Sequence, residues 1–201
     1  MDQGVTPPKE YLMIRNVYGN RCAERSKVPL MNHIDEGLMI LNSLGADEDT
    51  MKAWCLHPIL QSDEEYTQNI ELYCMLTSPW VLALTLEYRY RANNHLSHDK
   101  VERIGQIELS TLPQVNKMLI ADKVQNYKDF MIHHAKTHPR RDELDHYFRW
   151  WLGRLGIDNE QFVAWNEALH VGVLQHPYQP TTRRMHSCDD PLCAVCGSPW
   201  A

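Results

Sequence analysis

The chain has 201 residues, 43% of them hydrophobic, and a formal net charge of −6 at pH 7. This length is enough for one domain with a sizeable core. The acidic balance argues against a general nucleic-acid-binding protein, because affinity for phosphate backbones depends on clustered Lys and Arg. No run of 18 apolar residues occurs, so we expect no membrane span.

The cysteines and the N-terminal residues indicate the cellular compartment of the protein. Six cysteines are scattered along the chain, and Cys55 and Cys74 fall within apolar helical patterns. We expect both to be reduced core residues. The first residues lack the basic start and apolar segment of a signal peptide. Together these features predict a reducing, cytoplasmic compartment.

Apolar residues recur at helical spacing through most of the chain, and no strand alternation persists, which predicts an all-α fold. The predicted helices span residues 11–25, 31–44, 50–60, 64–76, 80–94, 114–134, 142–155 and 159–174. We expect Asp49 or Thr50 to cap the third helix and Gly156 to end the seventh. Because Pro58 lacks a backbone donor, the third helix should kink or end just after His57.

The composition changes at Gln175, where the chain becomes polar, proline-containing and aperiodic. This divides the chain into a helical domain, residues 8–174, and an irregular C-terminal tail, residues 175–201. The tail holds four soft metal ligands in the pattern H-x-C-x4-C-x2-C, namely His186, Cys188, Cys193 and Cys196. Such a set can bind Zn²⁺. The alternatives are reduced thiols in an irregular segment, or a tail that binds a protein partner through Trp200.

Four motifs follow one another through the helical domain. They are R-S-K-V-P-L-M-N-H at 25–33, A-W-C-L-H-P at 53–58, I-A-D-K-V-Q-N-Y at 120–127 and Y-F-R-W at 147–150. In this order they resemble the HD-domain phosphohydrolase superfamily, and more narrowly the (p)ppGpp hydrolase domain of RelA/SpoT proteins and the small alarmone hydrolases. The resemblance covers about residues 11–155. It implies an HD-type helical bundle like that of phage or bacterial members.

The resemblance also implies roles for individual residues. His33, His57 and Asp122 are expected to hold a divalent metal such as Mn²⁺. In this family the metal supplies Lewis-acid activation of a phosphoryl oxygen and of water. The residues expected to hold a nucleotide, for which ppGpp is the type, are Arg25, Lys123 and Asn126.

The chain departs from the family pattern after the second histidine. The family has an Asp where this chain has Pro58, and a catalytic Glu-Asp pair where it has Gln61 and Ser62. Neither replacement can act as a base. A one-residue shift after the proline kink is expected to turn Asp63 or Glu64 inwards in their place. Two functions stay open: a metal-dependent nucleotide phosphohydrolase, and a non-catalytic, degenerate HD protein that serves as a regulatory or structural interaction module.

Each candidate ligand also has a structural interpretation. His33 and His57 can be inner-face histidines bonded to backbone carbonyls. Asp122 can be a solvated helix carboxylate paired with a neighbour, although a lone charge on an apolar helix is costly unless paired. His98-Asp99 is a second His-Asp dipeptide, which we interpret as part of a loop because no apolar helix precedes it.

The fifth predicted helix carries Arg89 and Arg91 within a mixture of charged and aromatic residues. We expect both arginines to be exposed and to form structural ion pairs. The alternative is an anion-binding wall for a phosphate-bearing ligand.

Overall fold

A computed structural model describes residues 6–97 and 104–179 of the chain. This part forms eight α-helices and no strand beyond one isolated bridge between Cys22 and Pro29, which confirms the predicted all-α fold. The helices are α1 (Lys9–Tyr18), α2 (Met31–Ser43), α3 (Glu48–Leu56), α4 (Asp63–Leu76), α5 (Pro79–Asn93), α6 (Pro113–His133), α7 (Arg141–Arg154) and α8 (Asn159–His170). Among them, none combines the length and apolar character that a membrane crossing needs.

Local sequence signals set the ends of α3. Its cap is Asp47, whose carboxylate accepts a hydrogen bond from the Thr50 amide at 2.8 Å. The predicted cap at Asp49 or Thr50 is therefore wrong, because both residues already lie in the first turn. The end is as predicted: α3 stops at Leu56, and a single 3₁₀ turn that contains Pro58 follows.

The start of α4 and the end of α7 also follow local signals. Ser62 and Glu65 form a capping box, in which each side chain accepts a hydrogen bond from the other residue's amide at 3.1 Å. This arrangement fixes Asp63 as the first residue of α4. Gly156 follows α7 with a φ of 78°, a left-handed conformation that favours glycine, as predicted.

One apolar core lies between the helices, and it positions the site through α2, α3, α5 and α6. The helix α2 packs against α6, and α3 packs against both α1 and α5. Trp54 is one of the two fully buried tryptophans of this core, together with Trp151. Its indole lies against Gly37 of α2 and donates a hydrogen bond to the Ile34 carbonyl at 3.1 Å. The indole therefore connects α3 to α2 next to the two histidines.

Two predictions about individual side chains need correction. Cys55 is buried as expected, but Cys74 is exposed, because α4 lies on the surface and buries only Tyr73. Arg89 and Arg91 are not exposed; their side chains are only 21% and 18% accessible.

Both arginines form the predicted ion pairs. Arg89 pairs with Asp63, and Arg91 pairs with Glu87 at 2.8 Å and Glu108 at 3.1 Å. Their guanidinium groups are therefore engaged by carboxylates, which leaves no support for an anion-binding wall.

The chain remains packed beyond the predicted end of the helical domain. The last helix ends at His170, four residues earlier than predicted, yet His176 and Tyr178 still contact α2 and α3. The side-chain amide of Gln179 donates to the hydroxyl of Tyr11 at 2.7 Å. The packed body therefore extends at least to Gln179. The predicted sites outside the described residues are His98-Asp99, Trp200 and the four tail ligands His186, Cys188, Cys193 and Cys196.

Candidate metal centre

The three predicted metal ligands come from separate helices and converge. His33 lies in the first turn of α2, His57 directly after α3, and Asp122 in the middle of α6. The Nε2 atoms of the two histidines are 3.2 Å apart, and Oδ1 of Asp122 lies 3.8 Å from Nε2 of His33. The three ligand atoms all lie within 4.8 Å of one another. One ion with metal–ligand distances of about 2 Å can bridge atoms at this spacing.

The hydrogen bond at Nδ1 decides the tautomer of His57. This atom lies 2.6 Å from the backbone carbonyl of Trp54. A carbonyl oxygen only accepts hydrogen bonds, so Nδ1 carries the proton. The other ring nitrogen, Nε2, then presents its lone pair towards His33.

The tautomer of His33 is decided through Gln125. The amide nitrogen of Gln125 donates to Oδ2 of Asp129 at 2.8 Å and to Oε2 of Glu36 at 3.2 Å. The oxygen atoms of both carboxylates accept these hydrogen bonds, so the amide oxygen must face the other way. It lies 2.6 Å from Nδ1 of His33, which therefore carries the proton. His33 also presents its Nε2 lone pair to the centre.

Two nitrogen lone pairs thus face each other across 3.2 Å. This arrangement is repulsive unless a shared cation, either a proton or a metal ion, lies between them. Burial lowers the pKa of His57 to about 3, and the neighbouring His33 adds to the lowering. His57 is therefore neutral near pH 7, which is the form in which an imidazole binds a metal.

Asp122 is a buried carboxylate, only 6% exposed, so it is not a solvated helix residue. Its Oδ2 lies 2.7 Å from Nζ of Lys123, and its Oδ1 accepts from Nδ2 of Asn126 at 2.7 Å. Burial and the charge of Asp122 together raise the pKa of the neighbouring Tyr88 hydroxyl. Burial alone would raise the pKa of Asp122, but Lys123 and the two histidines outweigh it and hold the pKa below its ordinary value. The carboxylate is therefore ionised and available as a ligand.

Lys123 is itself enclosed by aromatic side chains. Its Nζ lies 4.9 Å from the ring centre of Trp151 and donates to the hydroxyl of Tyr147 at 3.3 Å. Burial alone would lower the pKa of Lys123, but Asp122 raises it, so the side chain remains a cation. It compensates the charge of Asp122 at Oδ2, whereas Nε2 of His33 lies 3.8 Å from Oδ1.

The centre lies in a cavity of about 520 Å³. Its apolar walls come from Tyr18, Val28, Pro29, Leu30, Ala92 and Leu96. Of the predicted nucleotide-binding residues, Lys123 and Asn126 line the cavity, but both already donate to Asp122. Arg25 is exposed and does not line the cavity. The structure therefore brings two of the three residues to the centre.

The predicted replacement bases do not reach the cavity. Asp63 and Glu64 are exposed in the first turn of α4, where Asp63 pairs with Arg89 and Glu64 accepts from Gln68 at 3.2 Å. The capping box at Ser62 fixes this turn with both carboxylates facing outwards. The expectation that one of them turns inwards is therefore wrong.

Sequence reasoning missed four polar residues at or beside the cavity. Glu65, Tyr88, Gln125 and Asp129 all line it. The sequence spacing could have identified two of them. Gln125 and Asp129 follow Asp122 by about one and two helical turns, on the same face of α6. Nothing in the sequence indicated that Tyr88, on α5, reaches Asp122.

We expect the metal-free protein to lose stability as the pH falls from 6.5 towards 3. In this range the unfolded chain protonates His57, with its ordinary pKa of 6.5, while burial keeps the folded side chain neutral. The unfolded state therefore binds more protons, and the free energy of unfolding at pH 5 falls by about 2 kcal/mol through this group. Urea denaturation in EDTA at pH 7 and pH 5 measures the loss. A His57→Gln variant should lack the contribution of His57 to this decrease. An equal decrease in the free energy of unfolding in both proteins would contradict the prediction.

Comparison of the chain with models of known protein families, with curated proteins and with solved structures gave no match. The fold and the site define an all-α protein in which two histidines and one aspartate could hold a metal ion.

Proposed function

We propose that this protein is a metal-dependent phosphohydrolase of the HD type, which binds a nucleotide-like phosphoester beside a divalent metal. The observation that carries the proposal is the pair of facing lone pairs on His33 and His57, with the carboxylate of Asp122 beside them. Hydrogen bonds orient both imidazoles with Nε2 towards the centre, and Lys123 holds the carboxylate of Asp122.

The donor set favours a transition metal. Two imidazoles and one carboxylate suit Mn²⁺, Fe²⁺ or Zn²⁺, whereas Mg²⁺ and Ca²⁺ prefer oxygen ligands alone. Three protein ligands also leave coordination positions for substrate and water, which is typical of catalytic metal sites. Such a metal supplies Lewis-acid activation of a phosphoryl oxygen.

The remaining polar residues support this site. Gln125 orients His33, and the carbonyl of Trp54 orients His57. Lys123 holds Asp122 and offsets its charge. The apolar walls of the cavity suit the organic part of a ligand such as a nucleoside.

A second candidate function is ligand binding without turnover, in a regulatory or structural protein that contacts a partner through its tail. It is favoured by Pro58 and Gln61, which line the cavity where the family has carboxylates. Gln61 is a neutral amide, which cannot act as a base, and its side chain donates to Asn93. Apart from Asp122, the carboxylates among the described lining residues are Glu65 and Asp129, and both already accept hydrogen bonds.

Metal titration and a hydrolysis assay on the full chain separate the candidates. After stripping with EDTA, Mn²⁺ should bind with 1:1 stoichiometry in calorimetry. Mn²⁺ is the suitable probe because the cysteines of the tail favour Zn²⁺ instead. Cleavage of nucleoside monophosphates or ppGpp in Mn²⁺ would support the phosphohydrolase. Metal binding with a nucleotide-induced rise in Tm but no cleavage would support the second candidate, and absence of Mn²⁺ binding would refute the metal site.

A further inference from the structure

Three consecutive carboxylates begin α4, and only the third faces the cavity. All three are exposed to solvent, but of the three only Glu65 also lines the cavity. One oxygen of Glu65, Oε2, accepts from the hydroxyl of Ser62 at 2.8 Å and from its amide at 3.1 Å. The other oxygen has neither a hydrogen bond nor an ion pair with any residue that the structure describes. The carboxylate of Glu65 is therefore an unpaired negative charge at the cavity wall.

The other charges of the described cavity wall are paired. Lys123 is the cation of the wall, and it is bound to Asp122 at 2.7 Å. Asp129 lies 3.0 Å from Nζ of Lys128. Among the described lining residues, Glu65 alone has no counter-charge. A ligand in this cavity therefore meets one unpaired negative charge, and it finds no free cationic side chain.

This charge pattern discriminates between phosphate ligands. A ligand with one phosphate can place that group on the metal and its uncharged part against the apolar walls. A ligand with two or three phosphates must leave the additional charges in the cavity, where Glu65 repels them. Like charges a few ångströms apart disfavour binding, and specific sites use such repulsion to exclude wrong ligands.

We infer that Glu65 limits the charge of the ligand, so that the site takes a phosphomonoester with an uncharged organic part and disfavours nucleoside polyphosphates. This inference rests on the proposed metal site and narrows its substrate class. It also places the ppGpp-type ligand, with its two pyrophosphate groups, among those that Glu65 repels.

The test is Glu65→Gln, with adenosine 5′-monophosphate and adenosine 5′-triphosphate as probes in excess Mn²⁺. Glutamine also closes a capping box with Ser62, so the start of α4 is retained. We expect the variant to bind the triphosphate about tenfold more tightly and the monophosphate less than threefold more tightly. The matched controls Asp63→Asn and Glu64→Gln remove the same charge outside the cavity and should leave the ratio of the two affinities unchanged.

Two outcomes would overturn the inference. One is an unchanged ratio of triphosphate to monophosphate affinity in Glu65→Gln while Mn²⁺ binding is intact. The other is loss of monophosphate cleavage without a change in that ratio, because Glu65 would then be a base and not a charge filter. Failure of the wild-type protein to bind Mn²⁺ is a different result, since it refutes the proposed metal site on which the inference depends.

Discussion

His33→Ala is expected to weaken Mn²⁺ binding by a hundredfold or more. The substitution removes one of three ligands, and the remaining pair, His57 and Asp122, cannot enclose an ion alone. The side chain of His33 is 22% exposed, so its truncation leaves a smaller defect in the core than removal of the buried His57. Calorimetric titration of the stripped protein measures the change, and circular dichroism verifies the helical content.

The Mn²⁺ affinities of two further variants are compared with that of His33→Ala. His146→Ala removes an exposed histidine on α7 that bonds only to the backbone of its own helix, and it should leave Mn²⁺ affinity unchanged. Gln125→Leu keeps all three ligands but removes the acceptor that orients His33, so affinity should fall by about tenfold. Wild-type Mn²⁺ affinity in His33→Ala would exclude the centre as the binding site.

Gly37→Ala is expected to lower the free energy of unfolding by about 3 kcal/mol. A methyl group on Gly37 would overlap the indole of Trp54 and lie 2.7 Å from its Nε1. The indole must then move and lose its hydrogen bond to the Ile34 carbonyl. Urea denaturation measures the effect, which outweighs the helix propensity of about 1 kcal/mol that alanine gains over glycine.

The same substitution should also weaken Mn²⁺ binding, because the Trp54 ring packs against both candidate ligands. Its centre lies 4.2 Å from that of His57 and 5.0 Å from that of His33. Gly105→Ala is the matched control, since a methyl group there meets no atom within 4 Å. If Gly37→Ala and the wild type have the same free energy of unfolding, then α2 and α3 can move apart without loss of stability, and the prediction is wrong.

Much of the helical framework could be predicted from the sequence. Apolar spacing located the eight helices of the described residues, and Pro58 correctly placed the end of α3. The first helix is shorter than predicted, because α1 ends at Tyr18 and not at residue 25. The convergence of His33 and His57 also followed from local features. Each histidine lies at one end of a helical hairpin whose turn, at residues 45–47, brings the two chain segments side by side.

The details of the site depended on contacts that sequence spacing does not encode. Three successive carboxylates look alike in the sequence, and only the packing of α4 decides that Glu65 faces the cavity. Arg25 stands close to His33 in the sequence, yet the loop that carries it turns the side chain towards solvent. Cys74 belongs to an apolar pattern, but no other helix covers that side of α4 within the described part of the chain.

By itself, the sequence determined the helices, most of their ends and the residues able to bind a metal, because helical periodicity, caps and proline act over a few neighbouring residues. Only the tertiary structure decided what these residues face. It placed Asp122 of α6 beside His33 of α2 and His57, which directly follows α3. It also fixed the orientation of the Gln125 amide, whose nitrogen donates to the carboxylates of Glu36 and Asp129. A tautomer or an unpaired charge arises only where distant segments meet, since it depends on every donor and acceptor around the group.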